Sequence, residues 1–180
     1  MCTKICMAFG KNNLNQKDIE NKNVIEIGSY NVNGSIRGYV ESLKPQKYIG
    51  TDMREGPCVD VCCNASDLID KFGKETFDVV ISMETLEHIE LWQLAISNFK
   101  NICKTNGIIL LTTVSKGYGK HDYPSDYWRY EISDLEHIFS DCVIEKTEGN
   151  DRNHTVFIKV RKPDDFVEVD LSSYELYKII

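Results

Sequence analysis

Two periods alternate along this chain. Asn23-Val24-Ile25-Glu26-Ile27-Gly28 is a short apolar run stopped by glycine and predicts a strand. Ser35 to Leu43 carries Ile36, Val40 and Leu43 at helical spacing and predicts a helix. Lys47-Tyr48-Ile49-Gly50-Thr51-Asp52 predicts a second strand, and Cys58 to Cys62 a short third one. A helix is expected from Ser66 to Phe72, with Leu68, Ile69 and Phe72 apolar. Phe77-Asp78-Val79-Val80-Ile81-Ser82 has the near-continuous apolar character of a strand buried on both faces. Then follow a helix over Leu91 to Cys103, a strand over Gly107 to Thr113 and a helix over Ile132 to Phe139. Cys142 to Lys146 and Thr155 to Val160 are two strands with no helix between them.

Strands alternating with helices predict a single Rossmann-like doubly wound α/β domain over residues 1–180, with its core at about 22–160. Seven strands are expected, mostly parallel. The last two are joined by the turn-rich stretch Glu148-Gly149-Asn150-Asp151, which makes them an antiparallel final pair. The acidic tail from Pro163 ends in Leu176-Tyr177-Lys178-Ile179-Ile180 and either docks on the body or mediates self-association as a homodimer.

Composition narrows the class. Of 180 residues 42% are hydrophobic and 27% charged, a globular balance that excludes overall disorder. A formal charge of −7 argues against a chain that tracks phosphate backbones, so no nucleic-acid partner is expected. No apolar run reaches a membrane-spanning length, and the N-terminal apolar stretch is too short for a signal peptide; a cytoplasmic protein is expected. The glycosylation-type triplets at Asn33, Asn64 and Asn153 are then chance. Seven cysteines, an odd number, do not suggest a disulfide framework. Cys58, Cys62 and Cys63, with Cys2 and Cys6, have spacings that zinc can use, but small buried side chains are the favoured reading.

In open parallel sheets a ligand sits beyond the carboxyl ends of the strands. After the first strand comes a turn with Gly28 and Gly34 at its ends. After the second comes Asp52, at the distance where an acid takes hydrogen bonds from ribose hydroxyls. After the fourth comes Ser82-Met83-Glu84-Thr85-Leu86-Glu87-His88, and after the fifth a loop with His121, Asp122, Tyr123, Tyr127 and Trp128. His88 and His121 are the candidate bases for an acceptor proton, whereas His137 and His154 are read as structural.

These residues resemble the class I S-adenosylmethionine-dependent methyltransferases, in particular small stand-alone members of the type 11 kind. Val24-Ile25-Glu26-Ile27-Gly28 looks like their first motif. Phe77 to His88 is similar to their fourth, in the subgroup with a Leu-Glu-His ending. Lys104-Thr105-Asn106-Gly107 looks like their Pro-Gly-Gly turn, with Thr105 and Asn106 replacing the first two residues, and Asp126-Tyr127-Trp128-Arg129 recurs in small members. Tyr30 and Val32 depart from the denser glycine turn, and Asn64 stands where many members carry Asp. The resemblance implies that Glu26, Gly28, Ser29 and Gly34 form or flank the methionine subsite. It puts Asp52 on ribose, Met53, Asn64 and Ala65 at adenine, and Ser82 on the sulfonium side. The product would be S-adenosylhomocysteine.

Glu84, Glu87 and His88 also look like the ligand set of some metal-assisted members, with His121 to complete it; Mg²⁺ there is an alternative that is not expected. The expected acceptor is a small molecule or a glycan, methylated on oxygen. The competing readings are a non-catalytic Rossmann-like binding module and a nicotinamide-dependent oxidoreductase, the latter disfavoured by the missing Gly-x-Gly-x-x-Gly.

Overall fold

The computed structural model describes residues 3–121 and 124–179, so Met1, Cys2, Asp122, Tyr123 and Ile180 fall outside the described residues. In chain order the elements begin with α1 (Lys4–Asn13), α2 (Gln16–Ile19), β1 (Asn23–Ile27), α3 (Arg37–Ser42), β2 (Lys47–Asp52), β3 (Val61–Cys62) and α4 (Leu68–Phe72). Then come β4 (Phe77–Met83), a 3-10 turn (Leu86–His88), α5 (Trp92–Ile102), β5 (Cys103–Val114) and β6 (Trp128–Arg129). The chain closes with α6 (Ile132–Ile138), β7 (Val143–Asn150), β8 (Thr155–Arg161) and β9 (Tyr177–Lys178).

Seven strands make one sheet in the order β3-β2-β1-β4-β5-β8-β7. The first five pair in parallel, and β8 runs antiparallel to both β5 and β7. The predicted α/β sheet with its antiparallel final pair is therefore the observed one. Alternation along each strand splits the core into two layers. Val24, Val79, Ile81 and Leu110 face Phe9 of α1 and Ile36 and Val40 beside α3. Ile25, Ile27, Val80 and Leu111 face Trp92 and Phe99 of α5 and Leu135 of α6. Each such side chain contributes about 1.5–3 kcal/mol when buried, which is why both helical layers stay on the sheet.

Several boundaries differ from expectation, each for a local reason. The third strand keeps only Val61–Cys62. Cys58 sits at φ 71, where extended pairing is not available. Asp60 instead turns its carboxylate onto the Gly50 amide at 2.8 Å. β5 starts at Cys103, four residues ahead of the predicted strand, because its pairing to β4 jumps from Phe77↔Cys103 to Val79↔Ile108. The intervening bulge carries the Thr105-Asn106-Gly107 turn, with Asn106 at φ 62. A Cβ on Gly107 would meet Lys104 O at 2.7 Å and Asp78 O at 2.9 Å, so glycine is required there by space. The final hairpin is longer than predicted: Glu148, Gly149 and Asn150 pair with Phe157, Val156 and Thr155, and the turn moves to residues 151–154.

The sequence reading had no element before residue 22. The structure has α1 there, capped by the Thr3 side chain, with Cys6, Phe9 and Gly10 as its buried face. Thr3 hydroxyl and Glu84 meet Cys6, and no described group of potential metal ligands contains a cysteine. The tail docks on the body. Leu171 and Leu176 enter the core, Tyr174 stacks on His137 with centroids 4.3 Å apart, and β9 pairs antiparallel with β6.

Candidate active site

The glycine turn is held by backbone and sterics together. Gly28 has φ 76, and a Cβ there would stand 2.0 Å from the Thr85 hydroxyl oxygen. The Gly28 and Ser29 amides both donate to Thr51 O, at 2.8 and 2.9 Å, which ties the turn to β2. Asn31 Oδ1 accepts from the Gly34 amide at 2.9 Å and closes the turn ahead of α3. Asp52, at the end of β2, accepts from the Tyr30 and Arg54 amides, both at 3.3 Å. The Arg54 guanidinium lies over the Tyr30 ring, 4.8 Å from its centroid.

A cleft of about 390 Å³ opens at the carboxyl ends of β1, β2 and β4, at the sheet's switch point. Of the sequence-predicted site residues, Gly28, Asp52, Met53, Asn64, Ala65 and His88 line it. Met53 is 61% exposed, so it is a cleft wall and not core packing. Asn64 Oδ1 accepts from the Ser66 amide and hydroxyl, both at 3.1 Å, which fixes the side chain at the start of the next turn.

Five predicted residues do not line the cleft. Gly34 lies at the far end of the turn. Ser29 and Ser82 are buried, and neither hydroxyl has a hydrogen-bond partner among the described residues. Glu26 is buried below the turn and accepts a hydrogen bond from the Tyr48 hydroxyl. Burial pushes the Glu26 carboxyl up to about 7, the Tyr48 bond offsetting part of the effect. His121 stands behind His88, ring centroids 4.9 Å apart.

Thr85 and Leu91 are cleft walls that the sequence did not single out, Tyr127 is one that it placed in the loop after the fifth strand, and Tyr30 and Val32, read as departures from a motif, line the cleft as well. All five lie in segments that follow strand ends, which was the available signal. Tyr130, next to the segment of Tyr127, is core, and its hydroxyl donates to Leu86 O at 3.4 Å.

At the other end of the cleft β4 breaks sharply. Glu84 adopts φ 49, and its amide donates to Thr112 O at 2.8 Å. Its carboxylate turns toward α1 and accepts from the Thr3 amide at 2.7 Å. Burial, then the charge of Glu87, push the Glu84 carboxyl above its usual range. The 3-10 turn then points Glu87 inward, where Oε2 accepts from the Thr113 hydroxyl at 2.9 Å. The motif Asp126-Tyr127-Trp128-Arg129 clamps onto this turn. The Tyr127 amide donates to Glu87 O at 2.9 Å and Trp128 Nε1 to Ile89 O at 3.0 Å. Arg129 grips Asp126 with two bonds of 2.6 and 2.7 Å, both residues buried. Burial opposes ionisation of Asp126, but Arg129 and the His121 amide outweigh it and hold the carboxyl below its usual range.

A seven-stranded sheet with this order, a glycine turn after β1 and an acid after β2, all opening on one cleft, defines a Rossmann-like methyltransferase fold. The sequence of residues 6–147 matches the family described as a methyltransferase domain, and the chain belongs to that family. It is an S-adenosylmethionine-dependent enzyme, which sets aside the oxidoreductase and binding-module readings. Among solved structures it is similar to Burkholderia thailandensis 1,6-didemethyltoxoflavin-N1-methyltransferase with bound 1,6-didemethyltoxoflavin and S-adenosylhomocysteine. There the TM-score is 0.71 at 15% identity, covering 88% of this chain and 79% of that one. It is also similar to an S-adenosylmethionine-dependent methyltransferase from Mesorhizobium loti, with TM-score 0.65 at 13% identity over 81% of this chain and 93% of that one. The N-methyltransferase NodS from Bradyrhizobium japonicum gives TM-score 0.64 at 12% identity, over 87% and 94% of the two chains. No curated protein matches the sequence significantly. No helix among the described residues is long and apolar enough to cross a membrane.

Proposed function

We propose that this enzyme transfers a methyl group to a hydroxyl of a small molecule or sugar bound at the mouth of the cleft. Asp52 takes the ribose hydroxyls of S-adenosylmethionine, Met53, Asn64 and Ala65 border the adenine, and the Gly28 turn faces the methionine part. Glu26, Ser29 and Ser82 support that turn from beneath. The observation that carries this reading is the opening of Gly28 and Asp52 onto one cleft whose lining also includes Thr85, His88, Leu91 and Tyr127.

Methyl transfer from a sulfonium needs in-line alignment more than charge stabilisation, because the leaving sulfur becomes neutral. Alignment of this kind supplies up to roughly 7–11 kcal/mol. The acceptor oxygen forms its bond to carbon as the sulfur–methyl bond breaks, and its proton leaves toward the His88–His121 pair. The free thiols of Cys58, Cys62 and Cys63 suit a reducing compartment, and we place the enzyme in the cytoplasm.

Calorimetric titration tests the cofactor half. S-adenosylmethionine and S-adenosylhomocysteine are expected to bind at micromolar concentration and NAD not at all. Asp52→Ala should weaken both by at least about 10–100-fold, the worth of one hydrogen bond to a charged group at about 1.5–3 kcal/mol. Equal affinity for the variant would remove Asp52 from the site. A screen of hydroxylated acceptors with the wild-type enzyme then tests the acceptor class.

A further inference from the structure

The hydrogen bonds around Glu87 do not close. Its side chain is 0% exposed, and Oε1 accepts no hydrogen bond from any described residue. A buried carboxylate oxygen left in that state is costly. Each Nε2 of His88 and His121 stands 3.9 Å from this oxygen. The tautomers follow from the partners on the other ring nitrogens. His88 Nδ1 bonds the carbonyl oxygen of Ser125, which can only accept, so Nδ1 carries the hydrogen. His121 Nδ1 faces Asp126 Oδ2 at 3.0 Å and Gly119 O at 3.3 Å, again acceptors only. In each neutral ring the lone pair is therefore on Nε2. Three lone pairs converge, their atoms within 4.8 Å of one another, with no hydrogen between them.

We propose that Glu87 Oε1, His88 Nε2 and His121 Nε2 form a site for one divalent transition-metal ion of the zinc class. Two imidazoles and one carboxylate are a donor set for such ions, whereas Mg²⁺ favours oxygen ligands with several waters. Two ligands at about 2.0–2.2 Å on a tetrahedral ion stand about 3.4 Å apart, so each Nε2, now 3.9 Å from the Glu87 oxygen, closes on it by about half an ångström. The outer partners have the arrangement that orients metal-binding histidines: a carbonyl behind His88, and the Arg129-held carboxylate of Asp126 behind His121. Glu84, which the sequence pattern grouped with these residues, is not a ligand, since its carboxylate is committed to Thr3. The sequence alone did not favour a metal here; the orphaned oxygen, visible only in the fold, reverses that judgement.

His88 lines the cleft, so an ion at this position would polarise an acceptor oxygen, and with both Nε2 atoms ligating it the acceptor proton would leave to water instead of to the His88–His121 pair. That use rests on the acceptor reading above; the existence of the ion site does not.

The test uses untagged full-length chain, stripped with EDTA and free of cofactor, titrated with Co²⁺, Zn²⁺ and Mg²⁺. One equivalent of Co²⁺ is expected to bind, with visible d–d absorption that one equivalent of Zn²⁺ abolishes, and Mg²⁺ is expected to bind at least 100-fold more weakly. His121→Ala and Glu87→Gln should each lower Co²⁺ affinity at least tenfold, while His154→Gln, away from the cluster, should not. His121 lies on a loop, so its variant keeps the test valid if Glu87→Gln does not fold. No stoichiometric uptake by the wild-type chain, uptake that survives His121→Ala, or a preference for Mg²⁺ would each overturn the proposal. Absence of uptake would mean that a proton on one imidazole satisfies Glu87. Because S-adenosylmethionine is left out, failure here is separable from failure of the cofactor reading.

Discussion

Gly28 is held by two independent constraints, a positive φ and contact with Thr85. A side chain there is strained by backbone conformation, at about 1–3 kcal/mol, before any clash is counted. Gly28→Ala is expected to lower the melting temperature by several degrees and S-adenosylmethionine affinity at least tenfold, because Thr85 is displaced into the cleft. Differential scanning fluorimetry and calorimetry read both, and a variant matching wild type in the two would refute the close packing. Glu26 gives a pH signature. Its carboxyl is raised from 4.5 to about 7 by burial, with Tyr48 and Arg37 as the neighbouring polar groups. Below pH 4.5 it is protonated whether the chain is folded or not. Between about 4.5 and 7 the unfolded chain loses the proton first, so stability falls as pH rises; above 7 the penalty is complete. Glu26→Gln imitates the protonated form. It should match wild type at pH 4 and exceed it at pH 8, by about 3 kcal/mol. A difference that does not vary with pH would show that Glu26 is not the titrating group.

At the scale of elements, the departures from periodicity are where the site was built. β4 ends in the left-handed kink at Glu84, and the 3-10 turn that follows sends Glu84 and Glu87 in different directions. A helix through Glu84, Glu87 and His88 would have put all three on one face. The tail is an element of the same kind: its sequence left docking and self-association open, and the fold docks it on the core. Tyr174 donates to Asp134 Oδ1 at 2.7 Å, and Leu176 is buried against the α5–α6 layer. Leu176→Ala is therefore expected to cost about 2 kcal/mol or more, at the lower end of core truncations. Urea unfolding measures it, and a cost below about 0.5 kcal/mol, typical of surface sites, would place the tail off the core.

For the whole molecule, the reversal of strand order between β1 and β4 decides where the cleft lies. The mostly parallel sheet was legible from apolar runs alternating with helical stretches, but the strand order was not read from the sequence. The glycine turn and Asp52 were legible too, since each follows a strand end set by local pattern, whereas Met53, Asn64 and Ala65 came from the family resemblance and line the cleft as it implied. The acidic balance agreed with a small-molecule enzyme without identifying it. By itself the sequence determined the order and type of the elements from β1 to β8 apart from β6, the side of the sheet that binds and, through a family resemblance, the cofactor class. The tertiary structure decided which chemical groups meet. His121 reaches Glu87 and His88 only because Arg129 and Asp126 pin its loop against the 3-10 turn, and Glu84 leaves that group only because α1 packs beside it. Periodicity records the local backbone and its buried face. The meeting of side chains distant in sequence depends on packing summed over the whole core, and no local pattern carries that sum.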